Sequence, residues 1–195
     1  MQDNLDKIIK ERKDRQRKAG IAARKALGGE TAARYSEIIV NRLLAHPAFA
    51  GTRFLFSYQP FAGEADITAF NARAEAAGKT VAYPVCKSQG IMYAAVPEDA
   101  SAWTVDRYGI RSPAEALSRV VAPGDFALVL VPCTAFDGKN RTRIGYGAGY
   151  YDRYLPQCAN AVFIAVAYEI QRTEPIAFDR WDVPMDAIVT EEGWY

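Results

Sequence analysis

The sequence predicts a single-domain α/β protein: an open, mostly parallel or mixed sheet with helices on both faces, a Rossmann-like three-layer sandwich. Three observations carry this. The runs 126–131 (FALVLV) and 161–167 (AVFIAVA) are wholly apolar, as strands buried on both faces are. Helical and strand patterns alternate along the chain, the order that builds parallel sheets. Composition is ordinary for a globular protein, with 50% hydrophobic and 24% charged residues in 195. A chain of this length buries roughly 70% of its unfolded surface and needs no disulfides.

Taken in order, residues 4–27 read as a helix rich in Lys, Arg, Ala and Ile, stopped by Gly28-Gly29. Thr31 is placed to cap a second helix, 32–45, in which Tyr35, Ile38, Ile39, Arg42 and Leu43 fall at helical spacing. A short aromatic strand covers 53–58. Pro60, Gly63 and Glu64 make a loop, and a helix at 66–77 is stopped by Gly78. Strand 79–83 is expected to break at Pro84, and 91–96 forms another strand. The stretch 97–125 carries Pro97, Gly109, Pro113, Pro123 and Gly124, and is expected to wrap one sheet edge irregularly. Strand 126–131 stops at Pro132. Residues 133–148 read as a loop feeding a helix that begins near Gly149.

Several function classes drop out. The three cysteines, Cys86, Cys133 and Cys158, form neither a disulfide framework nor a CxxC clip. The one histidine, His46, stands in Ala45-His46-Pro47, where a helix end explains it. Neither a zinc site nor a histidine-based triad is supported. No stretch approaches the ~20 apolar residues of a membrane span, so a cytoplasmic location is expected. Net charge is +1, but residues 7–25 hold nine Lys/Arg and two acids, +7, which leaves −6 elsewhere. A basic head suits an anionic ligand or a solvated helix face. The whole is too neutral for strong non-specific nucleic-acid binding.

The informative segment is Arg143-Ile144-Gly145-Tyr146-Gly147-Ala148-Gly149-Tyr150-Tyr151-Asp152-Arg153. Alternating glycines let successive backbone N–H groups turn toward one ligand. A helix start behind them favours anions. Arg143 and Arg153 can pair with phosphate oxygens. Asp152 offers a hard oxygen to Mg²⁺, which takes one or two carboxylates along with phosphates. The natural reading is a nucleoside triphosphate site, although glycines at this spacing also serve tight turns. Neither a Walker A loop nor a dinucleotide fingerprint is present.

The run Val131-Pro132, Ala135-Phe136-Asp137 and Arg143 to Arg153 closely resembles the 5-formyltetrahydrofolate cyclo-ligase family. The resemblance extends to Lys13-x-x-x-Arg17, to Pro60-Phe61-x-Gly63-Glu64-x-x-Ile67-Thr68, to Val166-x-Tyr168-x-x-Gln171 and to Asp182-Val183-Pro184-Met185-Asp186. It departs at Arg111-Ser112-Pro113, where members often carry Glu-Pro, and at Ala148, often Lys or Gly. The resemblance implies an ATP- and Mg²⁺-dependent enzyme that closes 5-formyltetrahydrofolate to 5,10-methenyltetrahydrofolate through a phosphorylated imidate. ATP is the co-substrate, and the products are ADP and phosphate.

By the same resemblance, Lys13, Arg17 and the loop Arg143–Ile144–Gly145–Tyr146–Gly147–Ala148–Gly149–Tyr150–Tyr151 hold the nucleotide. Ser57, Tyr58, Glu64 and the loop from Tyr146 to Tyr150 hold the folate. Asp152 and Asp182 are the magnesium carboxylates, and Arg143, Tyr150 and Asp152 serve the chemistry. Phe56, Tyr58, Phe61, Tyr83 and Trp103 are candidate pterin-pocket aromatics that strand spacing equally suits to a core. The expected protein acts as a monomer on a small molecule, with neither nucleic acid nor membrane as partner. The competing readings are a non-catalytic relative that binds folate, nucleotide or RNA, and a sugar-phosphate or coenzyme A enzyme on a similar sheet.

Overall fold

The computed structural model describes residues 2–173 and 175–195. Helix α1 (Gln2–Lys25) is followed by α2 (Gly29–Ala45) and a single turn, α3 (Pro47–Gly51). Next come β1 (Phe54–Phe56), α4 (Thr68–Ala76), β2 (Thr80–Cys86) and β3 (Met92–Pro97). Short strands β4 (Trp103–Val105), β5 (Arg111–Pro113) and β6 (Ser118–Val121) precede the buried β7 (Leu128–Pro132). A hairpin, β8 (Ala135–Asp137) and β9 (Thr142–Ile144), leads to α5 (Tyr150–Tyr154). Strands β10 (Val162–Val166) and β11 (Ala187–Val189) complete the chain.

Seven strands form one sheet in the order β11-β10-β7-β1-β2-β3-β6. From β11 to β2 every pairing is parallel, and β3 and β6 add an antiparallel edge. The period of two sorts each strand between two cores. Leu55, Val81, Leu128, Leu130 and Ile164 face α2 and α4, which contribute Ile39, Leu43, Phe70 and Ala74. Phe56, Ala82, Val129, Val131 and Ala165 face the other way, against Phe126, Tyr154 and Leu155. Each fully buried aliphatic side chain contributes roughly 1.5–3 kcal/mol. The predicted mostly parallel sheet with cover on both faces is the one observed.

Four local expectations are corrected. Thr31 does not cap α2: Gly28 is the N-cap, and its carbonyl already accepts from the Ala32 N–H at 2.9 Å. Pro84 does not break β2. The Ala82 carbonyl faces β1 and accepts from the Ser57 N–H, so Pro84, two residues on, faces the same side just past the end of β1. A missing N–H costs nothing there, and the Pro84 carbonyl accepts from Ser112 Oγ at 3.1 Å. The segment 97–125 contains three strands, and Arg111-Ser112-Pro113 is strand β5 paired with β4. The loop 133–148 contains the β8–β9 hairpin.

His46 does end a helix. It caps α3, its Nδ1 accepting from the Ala48 N–H at 3.2 Å.

Candidate active site

Residues 13, 17, 20 and 24 recur at helical spacing and form one stripe along α1. That stripe lies against the hairpin and the glycine loop. Gly20 permits the approach: a Cβ there would stand 2.0 Å from the Thr134 carbonyl oxygen. Thr134 is itself fixed, because its N–H and Oγ1 both donate to the Ile144 carbonyl, at 2.7 and 2.8 Å. Gln171 Nε2 donates to the Cys133 and Thr134 carbonyls at 2.8 and 3.0 Å. The resemblance motifs at 131–137, 143–153 and 171 thus meet the α1 stripe in space.

Lys13 pairs with Asp182, whose Oδ2 also accepts from the Asp179 N–H at 2.7 Å. Arg17 pairs with Asp14, and its Nε donates to the Gly145 carbonyl at 2.7 Å. Beside them opens a groove of about 780 Å³, lined among others by Lys10, Lys13, Arg17, Tyr146, Gly147, Arg180 and Trp181. Its four cations stand with Asp6, Asp14 and Asp179.

The glycine loop joins β9 to α5. Gly147 and Gly149 hold φ of +98° and +68°, which side-chain-bearing residues rarely adopt. A Cβ on Gly147 would lie 3.3 Å from the Arg17 guanidinium, and one on Gly149 2.8 Å from that of Arg153. Helix α5 spans five residues, so the helix-dipole attraction expected for anions is small. The cations that border the loop are Arg17 from α1 and Arg153 from α5.

Arg143 is buried and donates to Asp152 Oδ1 at 2.8 Å. Its guanidinium lies 5.7 Å from the Tyr151 ring, and its Nε is buried without a hydrogen bond. The Tyr151 ring packs onward against Phe56 at 6.0 Å, so this residue is a floor of the site. Ile144 packs with Ala135 and Ile176. Ala148 gives its carbonyl to Arg153. The Tyr150 hydroxyl donates to the Lys87 carbonyl at 2.9 Å and receives Arg107 at 2.6 Å.

Glu64, expected to hold the folate, has an enclosed side chain that is 7% exposed. Its Oε2 accepts from the Phe61 N–H at 3.1 Å and its Oε1 lies 3.9 Å from Arg24. Burial pushes its carboxyl from 4.5 up to about 7, with Arg24 and the Phe61 N–H opposing the rise. Phe61 packs on Tyr146 at 5.9 Å.

The side chains of Ser57 and Tyr58 point elsewhere. Ser57 Oγ donates to Asn71 Oδ1 at 2.6 Å, and the Tyr58 hydroxyl to the Ala65 carbonyl at 3.0 Å. Phe56, Tyr58 and Tyr83 are core residues, and Trp103 packs on Tyr83. Of the candidate pterin aromatics, Phe61 is the one set against the glycine loop. Burial raises the thiols of Cys133 to about 12 and of Cys86 and Cys158 to about 11. None is poised as a nucleophile.

The two carboxylates expected to hold magnesium each have a cation of their own, Arg143 for Asp152 and Lys13 for Asp182. Among the described residues no three His, Cys, Asp or Glu gather into a metal cage. To ligate Mg²⁺, an ion that needs few protein ligands, each carboxylate would have to share or leave its cation.

Arg24 was not visible as a site residue in the sequence. It is buried at 2% exposure and donates to the Ala62 and Cys133 carbonyls at 3.1 and 3.2 Å and to the Tyr146 hydroxyl. The only signal was its position in the 13-17-20-24 stripe.

The model of the 5-formyltetrahydrofolate cyclo-ligase family matches residues 9–191. The chain belongs to that family. A curated 5-formyltetrahydrofolate cyclo-ligase of Haemophilus influenzae is 35% identical over 82 residues, 41% of this chain and 43% of the relative. The match to the Mycoplasma pneumoniae relative covers 42% of that protein, so these alignments span under half of their partners. The Escherichia coli K12 relative is 26% identical over 86% of this chain and 93% of its own length. The NMR structure of Aquifex aeolicus 5,10-methenyltetrahydrofolate synthetase superposes with a TM-score of 0.81 at 30% identity, covering 93% of this chain and 91% of that one. The Mycoplasma pneumoniae synthetase shares the fold, with a TM-score of 0.73 at 24% identity over 92% of this chain and 98% of that one. Among the described residues no helix is long and apolar enough to cross a membrane.

Proposed function

We propose that this chain closes 5-formyltetrahydrofolate to 5,10-methenyltetrahydrofolate at the expense of ATP, in the presence of Mg²⁺. The observation that carries the reading is the α1 stripe. It sets Lys13 and Arg17 beside the glycine loop and, at its far end, Arg24 beside Glu64. This arrangement supports binding of a polyphosphate and of a ring bearing N–H donors at neighbouring ends of one surface.

In this reaction the formyl oxygen of the substrate attacks the γ-phosphorus as the bond to ADP breaks. The resulting imidate carbon is attacked by the second folate nitrogen. Phosphate departs with the former formyl oxygen, the ring closes, and that nitrogen loses its proton. No protein nucleophile is needed, which suits a chain with raised thiols and one capping histidine. The protein's part is positioning and charge neutralisation.

Lys13 and Arg17 exchange Asp182 and Asp14 for phosphate oxygens. Arg143 steadies the transferring group while held by Asp152. Glu64, as carboxylate, accepts from the pterin ring. Mg²⁺, held by Asp152 and Asp182 with the phosphates, would supply charge neutralisation on the nucleotide. Tyr150, moored to Lys87 and Arg107, closes the loop over the folate. The protein acts as a monomer in the cytoplasm.

The test is the absorbance of 5-formyltetrahydrofolate incubated with and without MgATP. Methenyl product that depends on ATP is expected. Its absence, with folate or nucleotide still bound, would favour the non-catalytic relative.

A further inference from the structure

We propose that Arg24 is the positioning residue of the folate side: from α1 it seats Glu64 and Tyr146 in register and so sets the charge with which Glu64 meets the ring. The proposal rests on the reading that Glu64 contacts the folate.

Three separate chain segments meet on this one guanidinium. It donates to the Ala62 carbonyl in the substrate loop, to the Cys133 carbonyl after β7 and to the Tyr146 hydroxyl in the glycine loop. Its carbon lies 5.4 Å from the Tyr146 ring centre. Ala62 is at φ +48°, a strained position for a residue with a Cβ, and its carbonyl is one that Arg24 holds. Planar donors in a fixed fork suit three divergent acceptors; a lysine ammonium lacks that geometry.

The charge argument is equally local. Glu64 faces Arg24 from α1, the Phe61 N–H of its own loop and Tyr146 of the glycine loop. It also faces Tyr58 after β1, Cys133 after β7 and Tyr151 of α5. Every phenol and thiol in that ring titrates above its ordinary value. Among the described residues Arg24 is the cation that opposes the burial of the Glu64 carboxylate.

The experiment measures 5-formyltetrahydrofolate binding by equilibrium titration across the neutral pH range. It uses the full chain as wild type, Arg24→Lys and Arg24→Gln. The same preparations are assayed for folate kcat/KM with ATP saturating. Wild-type binding is expected to weaken as pH falls through about 7, as Glu64 takes up a proton. In Arg24→Gln that limb moves upward by about one unit or more, since an opposite charge at this range holds an acid down by that much. Arg24→Lys keeps the limb but binds folate roughly tenfold more weakly, its fork being lost.

A limb unmoved in Arg24→Gln overturns the proposal. So does Arg24→Lys with wild-type folate affinity, and that variant decides the matter should Arg24→Gln fail to fold. Folate binding with the expected shifts but no methenyl product sinks the proposed activity and leaves Arg24's role standing. No folate binding at any pH sinks both.

Discussion

The two ends of the α1 stripe carry the same chemistry in different surroundings. Lys13 and Arg17 keep side-chain exposures of 14% and 19% and are paired with carboxylates at the edge of a groove. Arg24 has none. Water reaches part of both pairs, and a phosphate would replace the negative charge that Asp14 or Asp182 gives up. Removing a partner from an enclosed cation is costly, commonly about 3–5 kcal/mol. One end of the helix is therefore built to trade partners and the other to keep them. A basic helix face is not one kind of surface, and burial separates cations enclosed as scaffold from those left at the edge of a groove.

The largest expected effect tests the exchanging end. Lys13→Ala/Arg17→Ala removes two phosphate contacts of roughly 1.5–3 kcal/mol each. The apparent KM for ATP should rise steeply, with a smaller change for folate. An unchanged ATP dependence returns this end of α1 to a plain solvated face.

Asp152→Asn probes the half-buried middle of the comparison. The amide oxygen still accepts from Arg143, so the fold should survive by circular dichroism. Loss of the carboxylate charge should cost turnover roughly a hundredfold or more. Near-normal rates at low Mg²⁺ would reassign the metal ligand.

Glu64→Gln sharpens the enclosed end. Between pH 4.5 and about 7 the folded protein holds a proton on Glu64 that the unfolded chain has released. Stability therefore falls as pH rises through that window, by about 3 kcal/mol in all. The wild-type melting temperature should decline across it, and the glutamine variant should flatten the decline. An equal slope in both proteins would show that Glu64 is not the group responsible.

The smallest effect concerns the contact that docks the stripe. Gly20→Ala drives a Cβ into a backbone oxygen and should cost about 1–3 kcal/mol by urea midpoint. Gly193→Ala, outside any helix and with nothing within 4 Å, is the matched control and should change stability little.

Sequence alone determined what rests on local pattern. The apolar runs gave β7 and β10, because a strand buried on both faces has no polar side to show. Helical spacing put Lys13 and Arg17 on one face of α1, and the alternating glycines placed a special backbone between β9 and α5, where two of the three hold positive φ. The short strands of 97–125 and the β8–β9 hairpin were illegible. Strands of three or four residues carry too few periods to show, and their pairing is decided by the partner across the ladder.

Arg24 marks the limit most clearly. Its acceptors lie 38, 109 and 122 positions away along the chain. Nothing in the run Ala23-Arg24-Lys25 separates the enclosed cation from its neighbours, as Lys25 is exposed. The same holds for Glu64, whose raised carboxyl depends on burial by segments remote in sequence. Charge and spacing are written locally, whereas desolvation belongs to the assembled structure. Tertiary packing therefore decided which of the basic residues became scaffold and which stayed available to a ligand.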